Sequence, residues 1–66
     1  MIIMLNGEEK QISATCSVQQ LLVDLNLQDK RLAVEVNQEL VSRSQFETTC
    51  FNAGDKVEIV QAIGGG

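Results

Sequence analysis

The chain's 66 residues predict a two-layer α+β domain, with one amphipathic helix covering one face of a small sheet. Three observations carry that prediction. Asn6-Gly7 separates two strand-like segments, Val18, Leu21, Leu22 and Leu25 form one helical stripe, and short alternating apolar runs recur from Leu32 to Ile63.

Taken in order, Ile2 to Leu5 is a continuous apolar run and the first strand. Asn-Gly behind it signals a hairpin, because a type I′ turn needs positive φ at both central residues. The return strand, Glu8 to Ser13, is polar with Ile12 as its anchor, and Glu9 and Lys10 suit a sheet edge. Ser17 and Gln20 have capping-box spacing, in which each side chain satisfies an amide of the first turn. The helix is expected from Val18 to Leu25, its apolar residues at i, i+3, i+4 and i+7. Asn26 suits the left-handed C′ position, and Leu27 can pack back on Leu22 as in a Schellman motif.

Leu32 to Val36 alternates, which predicts a strand with Leu32, Val34 and Val36 inward. Asn37-Gln38 reads as a tight turn into a short partner strand beginning at Leu40-Val41. Ser42 to Thr49 is polar apart from Phe46 and is expected to be a loop or a 3₁₀ turn plugged by that ring. Ala53-Gly54-Asp55 is a turn, and the last strand runs from Lys56 to Ile63. If Ile3 and Leu5 face inward with Val57 and Ile59, then Ile2, Met4, Val60 and Ala62 lie on the uncovered face. There they are either ordinary surface or a docking patch.

Composition narrows the function. The chain has no histidine, so it lacks the usual acid–base group of neutral pH, and so short a chain leaves little room for a water-excluding pocket. A protein without catalytic residues is expected. Nine acidic against five basic residues give a net charge of −4, and Lys30-Arg31 is the nearest approach to a basic cluster. Nucleic acid is therefore a poor partner. The acidic balance suits either a basic docking face or simple solubility. Cys16 and Cys50 match neither a metal-ligand nor a CxxC spacing, and both are expected to be reduced structural thiols, with no metal bound. Met1 to Leu5 is too short for a signal-peptide core and no stretch could span a bilayer, so a cytoplasmic protein, monomeric when free, is expected.

The final strand leads into Gly64-Gly65-Gly66. Glycines cannot pack a core, but they make a thin thread that reaches about 10 Å beyond the body at roughly 3.3–3.6 Å per residue. Read as residues alone, this is either a frayed end or an unhindered α-carboxylate held out for a partner's narrow active site. The expected organisation is one domain over residues 1–63 and a flexible tail over 64–66, mobile in the free protein.

The whole chain resembles the ubiquitin-related β-grasp sulfur carriers of the ThiS/MoaD kind, and within them the ThiS family of thiamine (thiazole) biosynthesis. The resemblance lies in the Asn6 turn, the Val18-to-Leu25 helix, Val34-Glu35-Val36-Asn37 and Val41-Ser42-Arg43. It continues through Gly54-Asp55-Lys56-Val57-Glu58-Ile59-Val60 and the ending Gln61-Ala62-Ile63-Gly64-Gly65-Gly66. Ser42 stands where the family often has proline, and Phe46 where it often has tryptophan. The resemblance implies a β-grasp fold with a mixed sheet of four to five strands. It implies that a ThiF-type adenylating enzyme activates the Gly66 carboxylate with ATP, and that a persulfide sulfur donor system converts it to a thiocarboxylate. Thiazole synthase then takes the sulfur, and the carrier needs no cofactor of its own. Gly64 and Gly65 would thread into the partner's active site, with Ile63 the last anchored residue. Ile2, Met4, Val60 and Ala62 are candidate docking residues, and Arg43 is either a docking or a solvated arginine. Two alternatives remain: a molybdopterin-synthase small subunit, in which proline often precedes the diglycine, and a β-grasp interaction module with an inert tail.

Overall fold

The structure is a computed structural model and describes residues 1–61. The expected last two residues of the final strand, Ala62 and Ile63, and the tail Gly64, Gly65 and Gly66 lie outside the described residues. The first hairpin forms where expected: β1 (Ile2–Leu5) and β2 (Glu8–Gln11) pair antiparallel across Asn6 and Gly7, at φ 49° and 85°. β2 stops two residues short of Ser13, yet Ile12 is still buried and its N–H donates to the Met1 carbonyl at 2.8 Å.

Helix α1 (Val18–Asp24) ends one residue early, with Leu25 as its C-cap. Its four first amides all find acceptors. Val18 N–H donates to the Thr49 carbonyl (2.8 Å), Gln19 to Phe46 (2.9 Å), Gln20 to Ser17 Oγ (3.1 Å) and Leu21 to the Ser17 carbonyl (3.0 Å). Only half of the expected capping box is present. The Gln20 side chain donates forward to Asp24 Oδ1 at 3.0 Å, one turn along the same face, instead of back to the cap. The helix closes in a Schellman motif, with Asn26 at φ 60°, Asn26 N–H to the Val23 carbonyl at 3.0 Å and Leu27 N–H to the Leu22 carbonyl at 2.8 Å.

β3 (Leu32–Val36) turns through Asn37 and Gln38, both at positive φ, into β4 (Glu39–Val41). A 3₁₀ turn at Arg43–Gln45 follows, and Phe46 is buried behind it. β5 spans Lys56–Gln61. The sheet order is β2-β1-β5-β3-β4, so the strand last in sequence is central in space. β5 lies parallel to β1 and antiparallel to β3, which makes the sheet mixed.

The core sits between the helix and one sheet face. Ile3, Val34 and Val57 of the sheet meet Val18, Leu21 and Leu22 of the helix, with Leu5, Leu32, Val36 and Ile59 partly buried at the margin. Phe51, in a polar stretch where no periodicity marks it, is 4% exposed and joins them.

Candidate functional site

β5 positions Val60, which is the described residue among those that the sequence singled out near the C-terminus. Its residues alternate, with Val57 and Ile59 turned to the core and Lys56, Glu58 and Val60 to the uncovered face. Val60 is 61% exposed and lies opposite Ala33; Glu58 lies opposite Glu35. Ile2, at 46% exposed, and the half-buried Met4 are on the same face of β1, as expected. They do not form one patch with Val60. Met4 is in register with Lys56, so Val60 is four residues, or about 13 Å, further along the strand. Leu40, on β4 opposite Glu35, adds a side chain 70% exposed that the sequence reading did not single out. Ala62, Ile63, Gly64, Gly65 and Gly66 lie outside the described residues.

β5 is held by side chains as well as by strands, at its start and at Ile59. At its start, Asn37 Oδ1 accepts the Lys56 N–H (3.0 Å), and Asn37 Nδ2 donates to Asp55 Oδ1 (3.0 Å). The other Asp55 oxygen accepts the Asn52 N–H at 2.8 Å, so this carboxylate, 9% exposed, has partners on both oxygens. Further along, Asn6 Oδ1 accepts the Ile59 N–H (2.9 Å) and Asn6 Nδ2 donates to the Ile59 carbonyl (3.3 Å). The Asn-Gly signal announced the turn but not this reach, which depends on β5 being the neighbour of β1.

The cysteines differ from the expectation of two structural thiols. Cys16 is buried, its Sγ donating to the Ser17 carbonyl at 3.4 Å, and its pKa is pushed up by burial first, then by the Asp24 carboxylate and Cys50. A thiol kept protonated in this way is a poor nucleophile. Cys50 is free and exposed. It lines an open cavity of about 340 Å³ together with Val36, Leu40, Val41 and Gln45, in a lining without any basic side chain. Its short polar neighbours Thr49 and Asn52 do not cover it. Arg43 places its guanidinium 5.8 Å from the Phe46 ring centre, so it packs on the ring that plugs the loop. Among the described residues no group of three or more His, Cys, Asp or Glu could hold a metal ion. No helix among them is long and apolar enough to cross a membrane.

Comparison with known proteins places this geometry. The family model described as the ThiS family matches residues 3–66. The sulfur carrier protein ThiS of Escherichia coli is 32% identical over 66 residues, covering all of both chains. A protein named thiazole synthase in Paramagnetospirillum magneticum is 44% identical over 66 residues, and the chain spans 20% of its length. The crystal structure of the thiamine biosynthesis protein (ThiS) from Geobacter metallireducens superposes with a TM-score of 0.86 at 32% identity, covering the whole of both chains. The mixed five-stranded sheet with one helix is thus the β-grasp fold that the resemblance implied. From a family match over nearly its entire length and a relative covered end to end, this chain belongs to the ThiS family.

Proposed function

We propose that this chain is a sulfur carrier of thiamine biosynthesis and that the α-carboxylate of Gly66 is the group that carries the sulfur. The observation that supports this most is the family match running through residue 66, together with full coverage of a relative named as a sulfur carrier. A carboxylate resists nucleophiles because it is anionic and has no good leaving group. A ThiF-type enzyme joins it to AMP at the expense of ATP, releasing pyrophosphate. The terminal sulfur of a persulfide then attacks the carbonyl and AMP departs. Cleavage of the remaining S–S bond by a thiol supplies two electrons and leaves the thiocarboxylate.

Each tail residue has a physical part in this scheme. Gly66 presents its carbonyl with no Cβ in the line of attack, and Gly65 and Gly64 let the backbone lie in a groove too narrow for side chains. Val60 and Ala62, with Ile2 and Met4 on the neighbouring strand, would meet the partner's surface. Thiazole synthase is the proposed acceptor, supported by the thiazole synthase that contains a stretch 44% identical to this chain. The carrier itself is a stoichiometric substrate of these enzymes and works in the cytoplasm.

The test is intact-protein mass spectrometry after incubation with ATP, the adenylating enzyme and a persulfide donor. The expected result is a mass gain of one sulfur-for-oxygen exchange, lost on deletion of Gly65-Gly66. An unchanged mass with an active cognate enzyme would overturn the assignment.

A further inference from the structure

β1 and β5 run parallel, and their main-chain pairing is short: Met4 with Lys56 and Leu5 with Val57. The last main-chain bond between them is Asn6 N–H to the Val57 carbonyl, at 2.8 Å. There the chain leaves the sheet for the hairpin turn, while β5 continues for four more described residues. On that side the next rung is made by a side chain. The Asn6 amide accepts from the Ile59 N–H (2.9 Å) and donates to the Ile59 carbonyl (3.3 Å), as an aligned strand would have done. Asparagine meets both demands of this position: it tolerates φ 49°, and it carries a donor and an acceptor in one planar group. Beyond Ile59, among the described residues, the strand is paired with β3 alone, through Ala33 opposite Val60 and Leu32 opposite Gln61.

We propose that Asn6 is a positioning residue for the C-terminal reaction: by pinning Ile59 it fixes the course of β5 up to Gln61, the last described residue. This rests on the reading that Gly66 is the modified group. Pinned on one side alone, the end of β5 can fray, and a displacement of about 1 Å at a reacting centre can cost up to about a hundredfold in rate. Asn37 provides the internal control, because its amide oxygen likewise accepts a main-chain N–H of β5, that of Lys56 at the start of the strand.

The test compares Asn6→Gly, which keeps the left-handed turn and deletes the amide, with Asn6→Asp, which keeps only the acceptor, and with Asn37→Gly. Amide exchange of Ile59 is measured against that of the core residue Val34, and adenylation is measured with the carrier as the varied substrate. Asn6→Gly is expected to speed exchange at Ile59 selectively and to lower kcat about tenfold, with KM within about twofold because the docking face is intact. Asn6→Asp falls between Asn6→Gly and the parent chain. Simple loss of stability acts differently, since fewer folded carriers raise the apparent KM and spare kcat, which is the pattern expected of Asn37→Gly. A wild-type kcat for Asn6→Gly, or an equal kcat loss in Asn37→Gly, overturns the proposal. Unchanged exchange at Ile59 overturns the clamp itself. A parent chain that the adenylating enzyme does not turn over removes the Gly66 reading, and the positioning role with it.

Discussion

Cys16 and Cys50 are separated by burial, and each makes a measurable difference. Iodoacetamide is expected to label Cys50 of the folded chain quickly and Cys16 only on unfolding, read as one and then two adducts by mass. Because burial raises the Cys16 pKa above its ordinary 9.0, the folded state keeps a proton that the unfolded state gives up first. The stabilisation is complete below pH 9.0 and falls as pH rises through the folded value. Urea midpoints at pH 8 and at about pH 10 should therefore drop less in Cys16→Ala than in the parent chain, once the constant cost of the substitution is subtracted. At this scale the sequence was a partial guide. Small or apolar neighbours were enough to expect Cys16 inside, but the same cue misled for Cys50. Its burial depends on whether the loop after the 3₁₀ turn folds over it, and Thr49 and Asn52 do not.

Among the elements, α1 shows what local signals can specify. Seven residues are too few for an isolated helix in water, so its ends and its buried stripe must hold it. Ser17→Ala removes the acceptor for the Gln20 amide and is expected to cost about 1 kcal/mol, seen as a lower urea midpoint with unchanged slope. The stripe, the cap and the Schellman closure were all legible, because each involves residues within one or two turns of the chain. The acceptors for Val18 and Gln19 were not, since they come from Thr49 and Phe46, about thirty residues away in sequence. The forward bond from Gln20 to Asp24 was equally hidden, because spacing alone does not decide between two partners in reach.

For the molecule as a whole, a chain of 66 residues has little stability in reserve. A core of this size rarely supplies more than about 3–5 kcal/mol, and a fully buried leucine cut to alanine costs about 2–5 kcal/mol. Leu21→Ala is therefore expected to leave much of the population unfolded at 25 °C, read as lost dispersion of amide signals. Deletion of Gly65-Gly66 is expected to leave the melting temperature unchanged while abolishing the mass gain, which would separate the folded body from the proposed site at Gly66. The two-layer class and the strand positions were legible from alternation and turn chemistry. The strand order was not readable from those patterns, because alternation shows which face a residue takes and not which strand lies beside it. The family resemblance supplied the mixed sheet, and the register supplied the parallel pairing of β1 with β5.

That pairing makes assembly depend on β5, the latest in sequence of the described strands. A chain ending before Lys56 holds two two-stranded ribbons, β1 with β2 and β3 with β4, but lacks the strand that pairs with both. Isolated ribbons of two strands are marginal in water, and joining partners more than fifty residues apart is slow. Chains cut short before β5 are therefore expected to stay largely unfolded and open to proteolysis.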